Sequence, residues 1–283
     1  PCFDLDELLG TLQKQRISLF PGVPTIFTAI LNHPGIKSYD LSSIRFCITG
    51  AAPMPLEVIR RFESITGSMI IEGYGLTEAS PVTHCNPITE KRKPGSIGIC
   101  LPDTDCKIMD LEEGIHPMPL GESGELVIRG PQVMQGYWQM PEETNYALRE
   151  GWLYTGDVAT MDPEGFVFIV DRKKDMIISG GYNIYPREID EVLYEHPAVL
   201  DAVAVGIPDP YRGETVKAYV VKKPGHEVKE KEIIDFCKAR LAVYKVPKSV
   251  EFRESLPKTM VGKVLRKELR MESLKKSGSS EKS

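Results

Sequence analysis

The sequence has no C-x-x-C pair, no H-x-H and no H-E-x-x-H, although it holds six cysteines and five histidines. Those spacings mark structural zinc and zinc hydrolases, so structural zinc is a poor expectation, and so is a disulfide framework. Cysteines scattered through apolar contexts such as IRFCITG instead fit the reduced thiols of a cytoplasmic protein. Positive charge is also short: Lys plus Arg is 35 against 40 for Asp plus Glu, a net charge of −5 and a pI near 5.7. A general grip on nucleic acid needs a basic surplus or stripe, so nucleic acid is excluded as the main partner. No apolar run approaches the ~18 residues that span a bilayer. The chain opens at Pro1 rather than Met, with no basic segment leading into an apolar one. Neither a signal peptide nor a natural start is visible, and the expectation is a fragment. No tandem repeat is apparent.

What is present is a globular composition: 41% hydrophobic, 27% charged and 8% aromatic over 283 residues. That length allows two domains, each with its own core. Gly and Pro together make up about one residue in six, above the ~12% average, so many turns are expected.

Residues 4–16 carry Asp4 and Glu7 at capping-box spacing and Leu5, Leu8, Leu9 and Leu12 on one helical face. Apolar runs at 17–20, 44–48 and 69–71 read as strands, and 24–31 and 55–66 as helices, the latter stopped by Gly67. Alternation of strand and helix implies a parallel sheet, whose ligands sit beyond the carboxyl ends of the strands. Two short glycine-bearing loops, TGAAPMP (49–55) and EGYGLTEAS (72–80), fall at that edge. Either alone could be a mere turn; two together favour a site.

From Pro94 to Arg172 short apolar runs broken by glycine predict a small β-barrel, with Asp162-Pro163-Glu164-Gly165 as a hairpin turn. A compact α+β module follows, with helices at 186–196 and 229–241 and strands at 202–206, 216–221 and 249–252. The charged stretch 171–175 is the candidate joint, and the low-complexity tail 275–283 is expected to be disordered.

Five segments occur in one order: YGLTEAS (74–80), GELVIRGPQVMQGYW (124–138), GWLYTGDVA (151–159), DRKKDMIISGGYNIYPREIDEVL (171–193) and LPKTMVGKVLRKEL (256–269). Together they resemble the AMP-forming, adenylate-forming enzymes, which include acyl-CoA synthetases, luciferases and peptide-synthetase adenylation domains. The longer run TEASPVTHCNPITEKRKPGSIGICLPDTDCKIMD is most similar to the long-chain fatty-acid–CoA ligase branch. The resemblance implies an N-terminally incomplete version of that fold. Residues 1–93 would be the end of a large α/β AMP-binding domain, 94–172 its β-rich subdomain, and 173–274 a mobile α+β domain.

It also implies an activity: ATP and a fatty acid give acyl-AMP, which passes its acyl group to CoA, with Mg²⁺ as cofactor. Small molecules are then the partners. Peripheral membrane contact and a homodimer stay open.

Under this resemblance Gly50, Ala51, Ala52 and Pro53 contact adenine, where small side chains leave room. Glu72, Gly73, Tyr74, Gly75, Leu76 and Thr77 line the nucleotide, with Tyr74 covering the purine between two glycines. Thr77 offers a hydroxyl near phosphate and Glu78 a carboxylate for Mg²⁺, a hard cation that takes oxygen ligands. Asp157 accepts from the ribose hydroxyls and Arg172 contacts ribose or phosphate. Lys174 falls at the hinge, and Gly180 and Gly181 line the tunnel for the pantetheine arm of CoA. Lys263 is the mobile catalytic lysine that meets the carboxylate and the α-phosphate. Taken singly, Tyr74 reads as a core aromatic, Glu78 as a solvated helix start, Asp157 as a turn cap, Lys174 as part of a solvated charge run and Lys263 as a surface charge.

The family's Gly/Ser/Thr-rich phosphate loop is absent from these residues, so weak or no activity is expected of them alone. Two other readings remain: an aryl or other acid with CoA or a carrier protein as acceptor, and a non-catalytic adenylate- or partner-binding half protein.

Overall fold

Asp4 accepts a hydrogen bond from the Glu7 backbone N–H at 3.0 Å and so caps α1 (Leu5–Lys14), whose Leu9 and Leu12 turn inward. The computed structural model describes residues 3–259 and 264–280, with backbone alone at 276–280. Two compact units divide the chain, Pro1–Ile169 and Val170–Ser283.

In the first unit, β1 (Leu19–Gly22), α2 (Pro24–Asn32), β2 (Phe46–Thr49), α3 (Leu56–Thr66) and β3 (Met69–Gly75) alternate as expected, and β1, β2 and β3 run parallel. Gly67 ends α3 in the left-handed region at φ 70°, where a side chain would be strained. Phe27 of α2 meets Phe20 and Phe62 edge-on, with ring centroids 5.5 and 5.0 Å apart. These contacts lock the helices onto the apolar face of the sheet. The sheet is not wholly parallel. β4 (Val82–Cys85) and β5 (Ile99–Cys100) add to β3 in antiparallel fashion, giving the order β1-β2-β3-β4-β5.

β6 (Asp105–Met109), β7 (Gly124–Arg129), α4 (Pro141–Ala147), β8 (Leu148–Arg149), β9 (Trp152–Met161) and β10 (Val167–Arg172) form the glycine-punctuated region. The region expected as a barrel is a strand path β10-β9-β7-β6 with β8 on β9, its ends being β10 and β6. A register shift between Glu125 and Val127 bends β7 in the middle of this path. The turn at 162–165 closes as predicted: Gly165 N–H donates to the Asp162 carbonyl at 3.0 Å, and Lys93 meets both Asp162 and Glu164.

The second unit begins inside β10, just before the predicted joint. It contains β11 (Ile177–Ser179), β12 (Tyr182–Ile184), α5 (Pro186–Tyr194), β13 (Val199–Asp209), β14 (Gly213–Lys222), α6 (Glu230–Lys238), β15 (Ser249–Arg253) and α7 (Arg266–Ser280). Its sheet has the order β12-β11-β14-β13, with β15 parallel to β14. Buried Asp190 of α5 accepts from Ala204 N–H at 2.6 Å and pairs with Arg266, which also donates to the Ala204 carbonyl. That network fastens α5, β13 and α7 together. The backbone of α7 stays helical to Ser280, past Lys275 where a disordered tail is expected. Each further helical residue adds one hydrogen bond without a new nucleation cost, so a docked helix can run into poor helix formers. No helix among the described residues is long and apolar enough to cross a membrane.

Candidate active site

The carboxyl ends of β2 and β3 lie side by side, with Thr49 paired to Glu72. Gly50 follows directly, and a Cβ on it would stand 3.3 Å from the Gly73 carbonyl oxygen. Ala51 takes φ 68°, an uncommon conformation for a residue with a side chain. The loop Gly50, Ala51, Ala52, Pro53 and the segment Glu72–Gly75 are therefore brought together.

EGYG is not a loop. β3 runs on through Gly75 because β4 turns back along it, pairing Gly73 with Cys85, Tyr74 with His84 and Gly75 with Val82. Glycine signals a turn in sequence, but here it permits close approach of backbone: a Cβ on Gly75 would fall 2.0 Å from the Pro81 carbonyl oxygen. The Glu72 carboxylate accepts from Gly95 N–H at 2.7 Å.

The Tyr74 hydroxyl donates to Asp157 Oδ2 at 2.5 Å, joining two motifs 83 residues apart. Asp157 is buried in β9. Its backbone is aimed by Gly156 at φ 72°, by Gly156 N–H to Glu125 at 3.1 Å, and by Thr155, which accepts from Asp157 N–H and donates to the Leu126 carbonyl. Leu76 packs at the meeting of two apolar clusters. Thr77 is exposed and opens a short 3-10 turn, Thr77–Ala79.

Within that turn Glu78 Oε1 accepts from the Tyr137 hydroxyl at 2.8 Å, and the Glu78 carbonyl accepts from Met134 N–H at 2.7 Å. Burial, helped by the Glu78 carboxylate, pushes the Tyr137 phenol up to about 12, so it remains a donor. Sequence reasoning missed Tyr137. Its signal was its place in the GYW end of a motif, which says nothing of contact with residue 78. A half-buried carboxylate with one oxygen held by a phenol suits Mg²⁺, which usually takes one or two carboxylates together with waters and substrate phosphates.

In the second unit Arg172 ends β10, and its N–H donates to Asp171 Oδ1 at 2.7 Å. Lys174 is exposed in the turn Lys173–Asp175. Gly180 and Gly181 form the two-residue turn between β11 and β12 at φ 58° and 83°. Two successive positive values mark a type I′ hairpin, and a Cβ on either glycine would meet open space, so backbone conformation is what requires glycine. Lys263 lies outside the described residues.

The model of the AMP-binding enzyme family matches residues 1–138, and that of the AMP-binding enzyme C-terminal domain matches 188–263. The chain belongs to the AMP-binding enzyme family. It is 56% identical over 269 residues to a long-chain-fatty-acid–CoA ligase of Bacillus subtilis (strain 168), covering 95% of this chain and 48% of that protein. It is also 44% identical over 269 residues to a feruloyl-CoA synthase of an Amycolatopsis species, covering 95% and 54%. Among solved structures, ATP-bound MatB from Rhodopseudomonas palustris superposes with a TM-score of 0.90 at 35% identity, over 95% of this chain and 53% of that one. The adenylate-forming fold of this chain, with a small α+β domain at its end, is therefore established. The chain spans about half the length of the curated relatives it matches.

Proposed function

We propose that this chain serves ATP-dependent activation of a carboxylic acid and its transfer to CoA, with a long-chain fatty acid as substrate. In the first half-reaction the carboxylate oxygen attacks the α-phosphorus of ATP, and pyrophosphate leaves. In the second the CoA thiol adds to the acyl carbon, loses its proton, and AMP leaves.

The observation that carries the reading is the hydrogen bond between Tyr74 and Asp157 beside the close approach of Gly50 to Gly73. It unites the adenine-type loop, a half-exposed aromatic and a buried ribose-type carboxylate at the edge where parallel sheets hold ligands. Asp157 accepts from the ribose hydroxyls, Tyr74 holds it in place and faces the base, and Thr77 meets phosphate. Arg172 and Lys263 supply positive charge, and Lys174 is the hinge. Gly180 and Gly181 leave the pantetheine path clear. The fatty acid is favoured over an aryl acid by 56% identity to the ligase named for it, against 44% to the feruloyl relative. Mg²⁺, held by Glu78, would screen the phosphates.

Tyr74→Phe removes a hydrogen bond to a charged group, a class worth about 1.5–3 kcal/mol. The expected result is a lower unfolding midpoint for the first unit and about tenfold weaker ATP binding in calorimetric titration. Unchanged affinity would remove Tyr74 from the nucleotide site. Glu78→Gln keeps an acceptor for Tyr137 but loses the charge. The Mg²⁺ needed for half-maximal rate should rise about tenfold or more, and an unchanged requirement would place the metal elsewhere.

A further inference from the structure

Strand pairing assembles a nitrogen and sulfur cluster that sequence spacing hides. His84 of β4 lies directly opposite Cys100 of β5, and Cys106 of β6 returns to them after a turn through Asp103 at φ 60°. One ligand atom from each lies within 4.8 Å of the others. The Cys100 sulfur is 3.3 Å from His84 Nε2, and the Cys106 sulfur lies within 4.8 Å of both. Tetrahedral zinc with sulfur at ≈ 2.3 Å and nitrogen at ≈ 2.0–2.1 Å separates its donors by about 3.5–3.8 Å, so small rotamer changes suffice.

The His84 ring is also held from its other side. Thr83 Oγ1 donates to the Tyr74 carbonyl at 3.5 Å and lies 2.9 Å from His84 Nδ1. In the tautomer with the proton on Nδ1, Thr83 accepts from Nδ1–H and the Nε2 lone pair faces the two sulfurs. Metal-bound histidines usually have their other ring nitrogen fixed in this way. His84 is fully buried and the cysteines half-buried, which gives an oriented site with an approach from the sulfur side. Asp105, next to Cys106, adds negative potential, though it is also paired with Arg129.

We propose that His84, Cys100 and Cys106 form a binding site for a borderline-soft divalent cation, Zn²⁺ by preference. Two sulfurs and an imidazole disfavour Mg²⁺ and Ca²⁺, and the fourth position stays open to water. On binding, each thiol releases a proton and forms a metal–sulfur bond, with no change of oxidation state. The proposal does not rest on the nucleotide reading or on Glu78, although the His84 ring meets the Tyr74 ring edge-on at 6.0 Å.

The test titrates Co²⁺ into the reduced full chain without oxygen and follows absorption. One equivalent should bind with thiolate-to-cobalt charge transfer and tetrahedral d–d bands, and Zn²⁺ should displace it. Both band sets should vanish in Cys100→Ser and Cys106→Ser and persist in Cys85→Ser. Saturating Zn²⁺ should also slow alkylation of two thiols about tenfold or more. Absence of a thiolate band in the unaltered chain would overturn the proposal, whether or not the variants fold, as would a band that survives in folded Cys106→Ser.

Discussion

Lys263→Ala should lower the rate of acyl-adenylate formation by ~10²–10³, the usual loss when one charge-assisted contact to developing negative charge is removed. The attacking carboxylate and the α-phosphate are both anionic, and their approach is opposed until a cation lies at both. A lysine suits that role as a compact point charge with three donors on a flexible stem. The flanks of its segment are joined: Lys258 bridges Val264, and Leu265 N–H donates to the Pro257 carbonyl at 2.9 Å. The variant should affect the two half-reactions unequally. Thioester formation from supplied acyl-AMP should retain most of its rate, whereas pyrophosphate exchange driven by the acid should fall. Equal loss in both would mean that Lys263 acts on folding or on a shared step.

Gly75→Ala should be the most damaging small substitution in the candidate site. The added Cβ would stand 2.0 Å from the Pro81 carbonyl oxygen, 2.6 Å from the Pro81 carbonyl carbon and 2.9 Å from Val82 Cα. All three are backbone atoms, held where Leu76 N–H donates to the Pro81 carbonyl at 2.9 Å. No side chain can swing aside, so the cost should reach the upper end of the overpacking range, about 3 kcal/mol. For a unit of this size that is a fall of ~6–12 °C in unfolding midpoint. Gly180→Ala is the control, because its Cβ enters open space and pays only the strain of φ 58°, about 1–2 kcal/mol. A midpoint for Gly75→Ala no lower than that of Gly180→Ala would contradict the tight β3–β4 approach.

Much of this fold is legible locally. The Asp4 cap, the leucine stripe of α1, the Gly67 stop and the 162–165 turn each depend on residues within one turn of one another, and each stands where the pattern puts it. What escapes is set by distant pairing. β3 continues through Gly73 and Gly75 only because β4 returns along it. Tyr137 reaches Glu78 across 59 residues of chain, and Tyr74 reaches Asp157 across 83. His84, Cys100 and Cys106 lack any metal-binding spacing because cross-strand register, rather than one turn of chain, brings them together. The candidate nucleotide residues were legible through their motifs, while the contacts that orient them required the sheet.

Thioester synthesis through an acyl-adenylate, as proposed for this chain, leaves a fixed product stoichiometry. The direct measurement supplies ATP, Mg²⁺, palmitate and CoA to the protein in its full natural length and quantifies AMP, pyrophosphate and palmitoyl-CoA together. Equal amounts of all three are expected, with AMP absent when palmitate is omitted. ADP and phosphate in place of AMP and pyrophosphate, or no thioester at all, would contradict it.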